Sequence, residues 1–86
     1  MIFIIKNLKY DTDNMELISD KVRTVEWTPE GSFTFEAKLY KSQKGTYILV
    51  NFYDEAKIIN EKKVKNMLFN HDIQTYEKLY GRIKEG

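Results

Sequence analysis

The sequence predicts an α+β fold, in which an antiparallel sheet of four or five strands carries C-terminal helical segments packed on one face. Apolar and polar residues alternate through much of residues 2–50, as they do in strands that are buried on one side. From residue 61 onward, apolar residues instead recur every three or four positions, which indicates helix. The 86 residues suit one modest core, so a single domain over residues 1–86 is expected.

The first strands are predicted to form an N-terminal β-hairpin from residues 2–10 and 15–22. Residues 11–14 between them are DTDN, and Asp and Asn favour turns because their side chains bond the nearby backbone. A short helix over residues 13–19 is the alternative, since the apolar residues of this stretch also fit helical spacing. Residues 24–32 contain a proline and a glycine, which predict a strand end followed by a turn.

A second hairpin is predicted around the loop SQKG at residues 42–45, where Gly45 takes a positive φ. Residues 33–41 form its clearest strand, because one face carries only apolar side chains. That face comprises Phe33, Phe35, Ala37 and Leu39. The return strand, TYILVNFY at 46–53, is apolar on both faces, as expected of a central strand. Residues 56–59 add a short edge strand.

The C-terminal part is predicted to form two short helices or one kinked helix across the sheet. Asn60 is a favourable N-cap for a helix that begins at Glu61. Asp72 can cap a second helical segment, and Gly81 stands where a left-handed C-terminal cap is expected.

The composition leaves few routes to catalysis. There is no cysteine and His71 is the only histidine, so the usual nucleophile and base pairs and zinc sites cannot be assembled. The acidic stretch at 11–16 has Glu16 where a calcium loop needs glycine. We therefore expect a non-enzymatic protein without a metal or cofactor. The lack of cysteine fits a cytoplasmic location, and the apolar run that ends at Ile5 is too short to span a membrane.

The stretch KLYKSQKGTYILV at residues 38–50 is the most suggestive local feature, because lysines and tyrosines crowd one glycine-bearing loop. Such a loop can place lysines along a phosphate backbone while tyrosines stack on bases. Tyrosines can equally anchor a protein interface. A purely structural role is the third reading, in which lysines solubilise the hairpin and tyrosine rings cover the core. The net charge of only +1 gives no general attraction to polyanions.

The order of motifs resembles a family of small uncharacterised proteins found in bacterial genomes, prophages and mobile elements. The matching stretches are YDTDNMELIS at 10–19, AKLYKSQKGTYILV at 37–50 and INEKKVKNMLFNHDIQTYEKLYG at 59–81. NFYDEA at 51–56 stands where the family pattern tends to have a glycine-rich connection. The resemblance supplies no catalytic residue. It implies a phage or mobile-element protein that occupies a surface of a host machine, as an anti-CRISPR-like inhibitor of a defence complex does.

Two functional hypotheses follow from these observations. The leading one is protein–protein binding to a host protein or nucleoprotein complex, with no membrane partner. Its predicted contact residues are Trp27, Lys38, Tyr40, Lys41, Lys44, Tyr47 and Phe52. The alternative is a small nucleic-acid-binding module with a basic hairpin tip and helix. Its predicted contact residues are Lys38, Lys41, Lys44, Lys62, Lys63 and Lys65.

Overall fold

The computed structural model describes all residues, 1–86, and contains three antiparallel sheets and two helices. The strands are β1 (Ile2–Ile5), β2 (Leu8–Asp11), β3 (Glu16–Ser19), β4 (Arg23–Thr28), β5 (Gly31–Glu36), β6 (Lys38–Lys41), β7 (Tyr47–Val50) and β8 (Ala56–Ile59). The helices are α1 (Glu61–His71) and α2 (Ile73–Tyr80). The largest sheet has four strands in the order β3-β6-β7-β8, and both helices follow it. The predicted α+β architecture is confirmed.

The four-stranded sheet is covered on both faces, and its two inner strands are β6 and β7. On one face Leu39 and Leu49 pack in a buried cluster with Val64 and Leu68 of α1. On the opposite face Ile48 and Val50 form a second cluster with Tyr10 of the N-terminal hairpin. All four residues of β7 are buried, as predicted for a strand with two apolar faces.

The N-terminal hairpin differs from the predicted one. β1 and β2 pair with each other through a turn at Lys6 and Asn7, whose φ angles are 52° and 64°. Positive φ at both central residues is the requirement of the tight type I′ turn, which is favoured between twisted strands. Because this turn divides residues 2–10, the predicted pairing of 2–10 with 15–22 is wrong. β3 instead pairs with β6, with Glu16 opposite Lys41.

The segment that connects β2 to β3 also differs from the alternative prediction, a helix over residues 13–19. Only Thr12–Asn14 is helical, as one short 3₁₀ turn. The carboxylate of Asp11 accepts a hydrogen bond from the Asp13 amide at 3.1 Å, which ends β2 and starts this turn.

The predicted strand over residues 33–41 is divided at Ala37. β5 pairs with β4 in a separate two-stranded ribbon, whereas β6 belongs to the four-stranded sheet. At the division the Ala37 amide donates to the Val22 carbonyl oxygen at 2.9 Å, and both residues are buried. Ala37 and Leu39 therefore lie in the core as predicted, but Phe33 and Phe35 lie on the ribbon.

The two predicted helical segments and their N-caps are confirmed. Asn60 caps α1 by accepting a hydrogen bond from the Lys63 amide at 2.9 Å. Asp72 separates the two helices and accepts a bond from the Thr75 amide, which makes it the N-cap of α2. Gly81 ends α2 with a φ of 99°, but its ψ is 162°, so the predicted left-handed cap is wrong. Gly45 has the predicted positive φ, 90°, in the loop before β7. Neither helix has the length and apolar character needed to cross a membrane.

Candidate interaction surface

The two-stranded ribbon formed by β4 and β5, here called the arm, stands apart from both buried clusters. Its strands contact mainly each other. The pairing runs without interruption from Arg23 opposite Glu36 to Thr28 opposite Gly31. Because side chains alternate along a strand, one face carries Glu26 with its cross-strand partner Phe33, and the other carries Val25 and Trp27.

Four aromatic rings, here called the aromatic patch, join the arm to the loop that connects β7 to β8. They belong to Phe33, Phe35, Phe52 and Tyr53. The ring of Phe35 stacks on that of Phe52 at 5.0 Å between centroids and meets the edge of Tyr53 at 5.8 Å. Phe33, Phe52 and Tyr53 remain 47%, 62% and 52% exposed. The rings therefore support one another while presenting a continuous apolar surface to solvent.

The loop at residues 51–55 is organised by the side chain of Asn51. Its Oδ1 accepts hydrogen bonds from the Tyr53 and Glu55 amides, both at 2.9 Å. Its Nδ2 donates to Glu55 and to Glu26 of the arm, both at 3.1 Å. One amide group thus shapes the loop that holds Phe52 and Tyr53 and also ties that loop to β4.

Comparison of the chain with protein-family models, with curated proteins and with solved structures found no match.

The predicted protein-contact residues do not form one surface. Trp27 is 81% exposed, but it lies on the arm face opposite the aromatic patch. Tyr47 is buried against α1 and α2, which removes its ring from the surface that a partner can reach. Tyr40 packs, partly buried, against the cluster beneath the N-terminal hairpin. Of the predicted aromatic anchors, only Phe52 belongs to the aromatic patch.

The predicted basic residues are only partly brought together. The Lys41 ammonium lies 5.4 Å from the centre of the Tyr47 ring, and that of Lys65 lies 4.8 Å from the centre of Tyr80. Helical spacing places Lys63 on the other flank of α1 from Lys65. The remaining lysines of the predicted set are exposed. They are Lys38, Lys44 and Lys62.

The two tyrosines that lie under these ammonium groups, Tyr47 and Tyr80, are neighbours in the fold. The Tyr80 hydroxyl is buried beside that of Tyr47 and makes no hydrogen bond of good geometry. Burial, and next the neighbouring Tyr47 hydroxyl, raise the pKa of Tyr80 to about 12. A tyrosine is already neutral at physiological pH, and the raised pKa of Tyr80 keeps its hydroxyl neutral in more alkaline solution as well.

The sequence did not reveal that Asn51 and Tyr53 contribute to this surface, or that the side chain of Phe33 is exposed on it. Phe33 was predicted to face the core because its alternation continues smoothly into Leu39. The usable signal was NFYDEA, where an asparagine precedes two aromatic residues and a turn. Asparagine commonly bonds the backbone two residues ahead, as Asn51 does with Tyr53.

Proposed function

We propose that this chain is a non-enzymatic binding protein that docks its aromatic patch and arm against a host protein or nucleoprotein complex. The observation that carries the proposal is the exposure of Phe33, Phe52 and Tyr53 on one contiguous surface. Large exposed apolar patches are uncommon on monomeric proteins and mark interaction sites. Aromatic side chains also dominate the binding energy of protein interfaces.

Holding the arm against the loop at 51–55 explains only part of the aromatic patch. Phe35 is partly buried and props the arm against the loop, which suffices to position the two elements. Phe33 and Phe52 nevertheless leave about half or more of their surface, 47% and 62%, exposed to water. A partner that covers these rings would remove that apolar surface from water, which favours binding.

The resemblance to small phage and mobile-element proteins supports a more specific form of the proposal. In this form the chain is an anti-CRISPR-like inhibitor that acts in the cytoplasm of the host by covering a working surface of a defence complex. The support is the shared order of motifs at 10–19, 37–50 and 59–81. The single histidine and the lack of cysteine also favour a mechanism by binding over one by catalysis.

Affinity capture from a host lysate tests the proposal with two matched variants of the bait. Phe33→Ser with Phe52→Ser removes two exposed rings of the patch, and truncating two anchors is expected to weaken capture roughly thirtyfold or more. Ile4→Ser, at a side chain that is 67% exposed on the N-terminal hairpin, is the control and retains capture. Equal capture by the patch variant and the wild type would contradict the proposal.

The nucleic-acid alternative is favoured by one observation, the position of Lys41 and Lys65 over adjoining tyrosine rings. Phosphate contacts from such lysines weaken steeply as salt rises. An electrophoretic shift with single-stranded DNA or RNA at low salt, reduced by Lys41→Ala and Lys65→Ala but not by the exposed control Lys57→Ala, would support it. The absence of any shift at low salt would rule it out.

A further inference from the structure

A cleft separates the N-terminal hairpin from the loop between β6 and β7. One wall comes from β2 and the turn that follows it, and the other comes from residues 42–46. Its volume is about 410 Å³, within the range of roughly 300 to 1,000 Å³ in which small-molecule sites fall. Most of its lining side chains are polar, and no ring of the aromatic patch is among them.

Two lysines from different segments line this cleft. Lys9 belongs to β2, and Lys44 belongs to the loop. The cations in the ion pairs of the protein are the Met1 ammonium and Arg23, so neither lysine has a carboxylate partner. A cleft that gathers charges of one sign concentrates ligands of the opposite sign from solution. Lysine ammonium groups are regular partners of phosphate groups in proteins.

Asp11 is the one carboxylate in the lining, and both of its oxygens already have partners. Its Oδ1 accepts a hydrogen bond from the Asp13 amide at 3.1 Å and lies 3.8 Å from the Met1 ammonium. Its Oδ2 accepts from the Asn14 side chain at 3.4 Å. These contacts offset the negative charge that Asp11 brings. The cleft therefore favours an anionic ligand over a cationic one.

The loop at 42–46 leaves polar groups free to bind such a ligand. The Ser42 Oγ accepts from the Thr46 amide at 3.0 Å, which leaves the hydroxyl proton of Ser42 unused. The Thr46 hydroxyl and the Gln43 carboxamide make no hydrogen bond within the chain, and both line the cleft. Hydroxyl and carboxamide groups donate and accept hydrogen bonds, as the sugar and the base edges of a nucleotide do.

The apolar part of the lining suits a nucleotide base. Leu8 is 59% exposed, and Met15 is partly buried beside the cluster beneath the N-terminal hairpin. Both side chains line the cleft. A flat ring can pack against them, and methionine sulfur makes favourable contacts with aromatic rings.

We propose that this cleft binds a mononucleotide. Lys9 and Lys44 hold its phosphate, and Leu8 and Met15 contact its base. The inference goes beyond the proposed partner binding and uses no residue of the aromatic patch or the arm. Either proposal can therefore fail without the other.

Nuclear magnetic resonance titration of the isotope-labelled chain tests the proposal. The probes are the monophosphates of adenosine, guanosine, cytidine and uridine, and the four nucleosides without phosphate are the controls. At least one nucleotide should shift the amides of residues 8–15 and 42–46 saturably, and its nucleoside should bind roughly tenfold more weakly or worse. No saturable shift up to about 10 mM of any nucleotide would overturn the proposal. Equally tight binding of inorganic phosphate would overturn the assignment to a nucleotide.

Paired charge variants separate the cleft from a general charge effect. Lys9→Gln with Lys44→Gln removes both cations of the cleft and should raise the nucleotide dissociation constant roughly tenfold or more. Lys57→Gln with Lys62→Gln is the control, because it removes the same charge from two exposed lysines outside the cleft and should leave binding unchanged. Equal weakening by both pairs would refute the site. Binding of a single-stranded oligonucleotide without binding of any mononucleotide would also refute it.

Discussion

Asp72 joins the end of α1 to the edge of the sheet. Its carboxylate accepts hydrogen bonds from the Ser19 and Thr75 hydroxyls, both at 2.7 Å, and is buried. Burial acts to raise the pKa of Asp72, but the bonds from Ser19 and Thr75 outweigh it and hold the pKa below the ordinary 3.8. The charged form is therefore the one that the folded chain stabilises.

This shift predicts how acid weakens the fold. Because the pKa of Asp72 is lower in the folded chain than in the unfolded one, its contribution is complete above about pH 4 and is lost as pH falls through the folded value. Asp72→Asn should cost about 1 to 3 kcal/mol of unfolding free energy at neutral pH, since it places an amide group against the donors around it. Urea denaturation across this pH range measures both effects.

The exposed Asp20→Asn is the control for this experiment and should leave the unfolding free energy nearly unchanged. An Asp72→Asn variant as stable as the wild type, with the same loss of stability in acid, would contradict the role assigned to this carboxylate.

The loop at 51–55 and the arm depend on each other, and Asn51 is the link between them. The loop contains a positive φ of 59° at Asp54, a conformation that L residues adopt reluctantly. The hydrogen bonds of Asn51 to the Tyr53 and Glu55 amides hold this shape, while its bond to Glu26 reaches the arm. The aromatic patch is thus positioned by polar contacts as well as by ring stacking.

Asn51→Ala should loosen the loop while leaving the sheet intact. The Tyr53 and Glu55 amides lose their acceptor, so their hydrogen exchange should accelerate roughly fivefold, which corresponds to about 1 kcal/mol per bond. The amides of β7 should exchange as before. Asn14→Ala is the control, because Asn14 makes only a long 3.4 Å bond to Asp11 on the surface. Unchanged exchange at Tyr53 in Asn51→Ala would contradict the role of this side chain.

Across the molecule, the buried clusters and the interaction surface occupy different parts of the chain. The larger cluster lies between the helices and the four-stranded sheet, and the smaller lies beneath the N-terminal hairpin. Neither includes a residue of the arm. Val22 and Ala37, at the base of the arm, are the last buried residues before it begins. We therefore expect the core to fold without the arm.

Excision of the arm tests this separation. Replacing residues 24–35 by Asn-Gly, which forms a two-residue hairpin turn, would join Arg23 to Glu36 where they already pair. Cooperative unfolding should persist, because both buried clusters remain. Capture of the proposed partner should be lost. Calorimetry and near-ultraviolet circular dichroism measure this. A shortened chain that no longer unfolds cooperatively would show that the core needs the arm.

Local chemistry made part of this architecture predictable. The N-caps at Asn60 and Asp72 follow from side chains that act within a few residues, and these predictions were confirmed. The central position of β7 also followed, because apolar residues on both faces require cover on both sides. In each case the signal and the structure involve the same short stretch of chain.

Tertiary structure decided the strand partners and the surface. The alternation from Phe33 to Leu39 is unbroken in sequence, yet the chain leaves one sheet and enters another at Ala37. Alternation reports that a strand has two different faces, but it does not report which strand lies beside it or what covers each face. Tyr47 is buried because the helices pack over the four-stranded sheet, whereas Phe33 is 47% exposed because the arm contributes no residue to that cluster. Burial depends on contacts between segments that are distant in the sequence, and a local sequence pattern contains no information about those contacts.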